Sequence, residues 1–280
     1  MIPSLDIAHL SQWIGREESV EDVVAPSLVQ RFNATFDRKG PTAIGAEAPP
    51  MIHICLCLPA VPTAELGPDG HPERGGFLPP VPMPRRMWAG GSFVFHAPVH
   101  IGATILRRSR IVDVSAKQGR SGQLCFVAVE HEISSDGVLA ISERHDIVYR
   151  EIRTDAQAAS TPETAALGAH SRTVAATAPL LFRYSALTFN GHRIHYDAPY
   201  ATGPENYPGL VVHGPMQATL LCQFAADLKG ASPKRFDFRS LSPLFDTSDF
   251  SLNAEPAADG LRLWTARSGG PVAMEAQARW

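Results

Sequence analysis

Apolar and polar positions alternate along this chain with two different periods. Ile7, Leu10 and Ile14 recur at helical spacing, and Pro26 suits the first turn of a second helix carrying Leu28, Val29, Phe32 and Phe36. The pattern predicts helix over much of Asp6 to Phe36. Met51 to Leu58 is a short apolar run that fits a buried strand or a short helix, with the strand preferred. From Ser92 to Arg150 the period falls to two: Thr104–Val114, Leu124–Ile133 and Val138–Tyr149 read as long strands. The turns between them are Lys117–Gly122 and Ser134–Gly137. A strand over Leu180–Phe189 follows, then a helix from about Pro215 to Leu228 with Met216, Leu220, Leu221, Phe224 and Leu228 on one face. Gly230 is a C-terminal stop. Four strands close the chain: Lys234–Leu241, Thr247–Ala254, Leu261–Ser268 and Val272–Arg279. Helix followed by antiparallel meander therefore occurs twice, which is an α+β architecture repeated without evident repetition of sequence.

Two stretches break the pattern. Pro59 to Arg86 is rich in proline and glycine, and a loop that long inside a compact chain is functional or disordered. Its Phe77, Leu78, Val81 and Met83 argue for order, and Arg85 and Arg86 stand at its end. Residues 151–179 are rich in alanine, threonine and serine and read as a linker between an N-terminal unit (1–150) and a C-terminal unit (180–280).

The 280 residues are 44% hydrophobic and 19% charged, so a substantial core is feasible. With 25 Lys+Arg against 28 Asp+Glu, the formal charge of -3 gives no basic surplus for nucleic acid or an anionic membrane. No apolar run approaches the ~18 residues of a spanning helix. The first residues lack a basic region followed by an apolar run, so the expectation is a cytoplasmic protein with reduced thiols. Cys55 and Cys57 read as buried small side chains, because no further soft ligands follow at metal-site spacing. No metal site is expected.

The candidate chemistry lies between Leu181 and Leu221, where His192, His195, His213, Arg183, Arg193, Asn190 and Asp197 crowd between two apolar segments. The helix plan and the string Asn190-Gly191-His192-Arg193-Ile194-His195 resemble the double-hotdog MaoC-like acyl-thioester hydratases and dehydratases. Their motif runs D-x-N-P-x-H. The histidine aligns with His195, and Asn190 stands where the family has an acid. FNGHRIHYD and YPGLVVHGPMQATLL look closest to the subgroup with mesaconyl-C4-CoA and itaconyl-CoA hydratases and mitochondrial 3-hydroxyacyl-thioester dehydratases.

The resemblance implies a double hotdog with a catalytic second half and a non-catalytic first half. It implies an acyl-CoA thioester as substrate, no cofactor beyond that coenzyme A, and a homo-oligomer, a dimer of double hotdogs. His195 is then the general base, Asn190 a group that positions water, and the Gly214 N–H, at a helix N-terminus, the donor to the thioester oxygen. His213 supports the loop or closes the pocket. A dicarboxylic acyl group needs a cation, and Arg85, Arg86, Arg183 and Arg193 are the candidates. Lys234 and Arg235 face CoA phosphates or solvent. The expected activity is hydration of mesaconyl-C4-CoA or itaconyl-CoA to citramalyl-CoA. A fatty-acid-type 3-hydroxyacyl-ACP or -CoA dehydratase, a thioesterase and a non-catalytic thioester-binding hotdog are the alternatives.

Overall fold

The structure is a computed structural model that describes residues 5–119, 122–151 and 163–280. In chain order it holds α1 (Ile7–Leu10), β1 (Glu17–Val23), α2 (Pro26–Thr35), β2 (Arg85–Phe95), β3 (Thr104–Gly119), β4 (Gly122–Ser135) and β5 (Val138–Arg150). Then come β6 (His170–Val174), α3 (Ala178–Leu187), α4 (Ala198–Thr202), α5 (Gly214–Lys229), β7 (Arg235–Ser240), β8 (Phe250–Ala257), β9 (Gly260–Arg267) and β10 (Val272–Arg279).

All ten strands form one sheet in the order β1-β3-β4-β5-β2-β7-β10-β9-β8-β6. Read outward from the β2–β7 junction, each half has the same order of its own strands, as two copies of one unit related by a two-fold axis would. Every strand pairing is antiparallel. This is the double hotdog expected. In the second half α5 lies on the sheet and buries Met216, Leu221, Phe224 and Ala225 against Phe236, Leu263 and Met274. In the first half α2 contributes Val29 and Phe32, and the chain position of α5 holds two short 3-10 turns, Ile52–Cys55 and Thr63–Glu65.

The junction depends on glycine. Gly91 pairs with Phe238 and Gly90 with Arg239. A Cβ at Gly91 would lie 2.1 Å from Arg144 O and 2.9 Å from Phe238 Cζ. With no side chain there, Phe93 stacks on Phe238 at 5.4 Å and Trp88 reaches it at 4.3 Å, so one aromatic layer spans both halves.

Four expectations change. Glu17–Val23 is strand, not helix: its residues alternate exposed and half-buried, and its acids meet the arginines of β3, Arg107 to Glu18 at 3.6 Å and Arg110 to Glu17 at 3.7 Å. Met51–Leu58 is the 3-10 turn, entered through Met51 at φ 71°. Leu180–Phe189 is mostly helix: Thr177 accepts from Leu180 N, Pro179 occupies the first turn, and the buried positions 181, 184, 185 and 187 follow a helical stripe. Within the expected linker, residues 170–174 pair with β8 as an edge strand. Residues 152–162 of that linker, and 120–121 of the expected β3–β4 turn, lie outside the described residues.

Because β2–β7 pairing makes the sheet continuous, Gly91→Ala should destabilise the whole chain by about 1–3 kcal/mol. In urea titrations it should lower the midpoint of a single transition, coincident by circular dichroism and tryptophan fluorescence. Two separate transitions with only one displaced would contradict a shared sheet.

Candidate active site

After α3 the chain must reverse within a few residues. Phe189 does so at φ 47°, Asn190 N donates to Ser185 O at 2.8 Å, and Asn190 Oδ1 accepts from His192 N at 3.0 Å. The amide oxygen of Asn190 is therefore committed to the turn, and its NH2 is left to meet water. Arg193–His195 form one 3-10 turn, and Asp197 caps α4 by accepting from Tyr200 N at 3.2 Å. Asp197 also pairs with Arg193 at 2.8 Å, so it serves as cap and ion-pair partner.

His195 is buried, and its Nδ1 donates to Val211 O at 2.7 Å. A carbonyl can only accept, so Nδ1 carries the proton and Nε2 keeps its lone pair. Burial lowers the pKa to about 4 against the bond to Val211, which raises it. The ring is thus neutral and basic at neutral pH. Behind it His213, 1% exposed, stacks at 3.7 Å with 17° between the rings and bonds Ser185 Oγ at 2.8 Å. Burial holds His213 well below its ordinary pKa. It backs His195 and is not placed to line an open pocket.

Gly214 is the first residue of α5, and its N–H has no hydrogen-bond partner among the described residues. A Cβ there would meet Trp88 at 3.6 Å and Ser240 at 3.8 Å, which is ordinary contact. Packing does not demand glycine at this position; close approach by a ligand would.

The four arginines separate. Arg85 Nη2 donates to Glu205 O at 2.8 Å, pairs with its carboxylate at 3.2 Å and lies over Tyr207. Arg193 is held by Asp197, by Pro68 O at 3.0 Å and by the face of Tyr200 at 4.1 Å. Arg183 is exposed on α3 and lines a different cavity of about 650 Å3 with Arg38, Lys39 and Arg172, which contains none of the motif residues. Arg86 has no ion-pair partner among the described residues. Its charge opposes the rise that burial causes in the Tyr149 pKa and adds to the lowering that burial causes in His71 and His192. Outside this region Arg235 is paired with Asp237 at 2.7 Å.

The sequence reading missed Asp69 and His71, and assigned no role to His192. The Pro/Gly loop carries Asp69 and His71 onto the motif: Arg193 N donates to Asp69 O at 2.9 Å, and a Cβ at Gly70 (φ 85°) would lie 1.9 Å from Gly191 O, so only glycine allows the approach. His71 Nδ1 donates to Asp69 Oδ2 at 3.0 Å. The His71 and His192 rings lie 4.0 Å apart, and His192 lies 5.4 Å from His195. Burial raises the Asp69 pKa, but the side-chain and backbone bonds from His71 outweigh it and hold the carboxyl below its usual range. Burial first, then neighbouring positive charge, keeps His192 low. One ligand atom each from Asp69, His71 and His192 lie within 4.8 Å of one another, the spacing of a divalent-cation site. Burial is the main cause that lowers the His71 pKa; Arg86 and Arg74 add to it, and Asp69 opposes it. The available signal was an Asp-Gly-His step in a loop anchored by Phe77, Leu78, Val81 and Met83.

The model of the hydroxyacyl-thioester dehydratase type 2 family matches residues 51–246. The mesaconyl-C(4)-CoA hydratase of Chloroflexus aurantiacus is 44% identical over 266 residues, 94% of this chain and 95% of that protein. The mitochondrial hydroxyacyl-thioester dehydratase type 2 of Schizosaccharomyces pombe is 30% identical over 70% of this chain and 74% of its own length. The MaoC-like dehydratase of Phytophthora capsici shares the fold, with a TM-score of 0.70 at 12% identity over 99% of both chains. The chain belongs to the type 2 hydroxyacyl-thioester dehydratase family, hydro-lyases of the MaoC-like hotdog group.

Proposed function

We propose that this protein forms citramalyl-CoA by adding water to a short, branched dicarboxylic enoyl-CoA, either the 2-enoyl thioester mesaconyl-C4-CoA or its 3-enoyl isomer itaconyl-CoA. The observation that carries the reading is Arg86: it alone of the four candidate arginines is both free of a carboxylate partner among the described residues and beside the His71–His192 pair. In mesaconyl-C4-CoA the second carboxylate is borne by the carbon that receives water. Its cation must then lie close to the base, and a guanidinium beside His192 meets that need. The 44% identity to a mesaconyl-C(4)-CoA hydratase supports the same substrate class.

For mesaconyl-C4-CoA the chemistry runs through few groups; itaconyl-CoA joins the same path once a proton has left its Cα and another has been added to its methylene carbon, which moves the double bond to Cα=Cβ. His195 Nε2 takes a proton from water as the oxygen adds to Cβ. The electron pair moves to the thioester oxygen, where the Gly214 N–H meets the developing charge; one such donor is worth about 3 kcal/mol in a transition state. The proton on His195 then passes to Cα, and the base is restored. Asn190 can orient the water with its NH2, and His213 keeps the His195 ring in place. Atoms balance with no cofactor beyond the coenzyme A that carries the acyl group. Run backwards, the same groups dehydrate a 3-hydroxyacyl thioester.

Incubation of the purified protein with both C5 thioesters, followed by mass spectrometry, should show addition of one water to at least one of them. Activity confined to long unbranched enoyl-CoAs would remove the dicarboxylate assignment. Arg86→Ala should lower kcat/KM for the dicarboxylic substrate about 100-fold while changing that for crotonyl-CoA less than about tenfold. Equal losses on both would make Arg86 a structural residue.

The pH profile is a second check. Since His195 is depressed from 6.5 to about 4, the acid limb of kcat/KM should fall near pH 4. Between pH 6.5 and 4 the unfolded chain binds the proton that folded His195 refuses, so stability also declines as pH falls. Circular dichroism at each pH separates the two effects, and an acid limb near 6.5 in folded protein would count against His195 as the base.

A further inference from the structure

In the second half α5 covers the sheet, whereas in the first half the same chain position holds two short 3-10 turns, Ile52–Cys55 and Thr63–Glu65. Beneath the first of them the sheet is polar where an apolar face is expected. Ser109, His131 and Glu143 are cross-strand neighbours in one row on β3, β4 and β5, and all three are buried. His145 follows Glu143 by two positions on the same face and donates to its carboxylate. His53, from the turn above, reaches that carboxylate at 3.8 Å. The row divides the apolar packing of the first half in two. Ile52, Leu56, Ile105, Ile133 and Ile141 lie in one cluster, and Ile111, Val127, Val129 and Tyr149 in the other.

The hydrogen bonding of this row is incomplete. His131 Nδ1 is bonded to Ser109 Oγ at 2.8 Å, but His131 Nε2, His53 Nε2, Arg107 Nε and Trp88 Nε1 are buried without a hydrogen-bond partner. His53 and His131 are 5% and 8% exposed, so bulk water does not satisfy them. The row also begins at the site. The Trp88 ring makes an edge contact with His145 at 5.1 Å, and another of its edges flanks Gly214.

We infer that the first half is an acyl-length filter. Its buried polar row, starting beside the thioester-oxygen donor, accepts a short acyl group bearing hydrogen-bond acceptors and excludes a long alkyl chain. An alkyl chain laid over the row would seal off unpaired donors and supply no acceptor, which cancels the gain from burying methylenes. Glu143 and the three histidines have no part in the proton transfers described above, and this role accounts for the burial of Glu143, His53 and His131 with His145 bonded at their edge. The inference rests on the acyl-thioester reading, and its test uses binding without turnover.

Saturated acyl-CoAs are not hydrated, so calorimetric Kd values for butyryl-CoA and octanoyl-CoA report the pocket alone. In an apolar tunnel, four extra methylenes would tighten binding about 100-fold. Here the two Kd values should agree within about threefold. Glu143→Leu/His145→Leu removes both partners of one buried hydrogen bond and should make octanoyl-CoA bind at least tenfold more tightly relative to butyryl-CoA. The filter is overturned if the unmodified protein prefers octanoyl-CoA tenfold or more, or if the folded double variant keeps the original ratio. Should that variant not fold, the unmodified protein and His131→Leu decide between the same two outcomes. No binding of butyryl-CoA would remove the thioester reading itself, and the filter with it.

Discussion

The pairing of β2 with β7 is the constraint on which the rest of the molecule depends. It joins two five-stranded halves into one sheet and requires glycine at Gly90 and Gly91, where backbone and Phe238 leave no room for a side chain. Everything at the site that comes from the first half is carried to it from this junction. Trp88 stands beside Gly214 because it precedes the glycines on β2, and Arg86 lies two residues further along the same face. Arg85 crosses to Glu205, and the loop leading into β2 is fastened to Gly191 and Arg193 of the second half. A site assembled in this way belongs to neither half alone.

Burial sets its electrostatics. A charged imidazole is costly in a dry environment, so His195, His213 and His192 are all held neutral at ordinary pH. For His195 that neutrality is an asset, since an unprotonated Nε2 is what a water-activating base needs. Positive charge comes instead from the guanidinium of Arg86. Where the wider family carries an acid, Asn190 holds the backbone of the turn, and the half-buried carboxylate nearby is that of Asp69, from the other half of the chain. Within the proposed mechanism, histidine supplies the base, a backbone amide meets the developing oxyanion, and arginine reads the substrate.

The same physics acts on the first half in another way. Where short 3-10 turns take the place of a central helix, the buried sheet face beneath carries Glu143 and His131 in place of aliphatic side chains. Burial raises the Glu143 pKa, but contact with His145, His53 and His131 outweighs it and keeps the carboxyl ionised. The result is a buried ionic row at the entrance from the site, flanked on both sides by apolar packing.

Much of this was determined by the sequence itself. Period-two alternation marked β3, β4, β5 and the last four strands, and Pro215 and Gly230 bracketed α5, because these signals are local. The N-x-x-x-x-H string located the proposed base, since the short turn it encodes sets His195 within its own segment. Elements whose stability comes from partners were not legible. The acidic edge strand β1 exists because β3 offers it arginines, and the polar strand β6 because β8 offers it an edge. Nor could sequence separate four arginines that differ only in what surrounds them: Glu205 and Asp197 neutralise two, α3 turns a third away, and Arg86 has no ion-pair partner among the described residues. Local propensity decided the elements. Contacts between residues more than a hundred positions apart, Asp69 with Arg193 and Arg85 with Glu205, decided the site, because hydrogen bonding and charge depend on distance in space and not on separation along the chain.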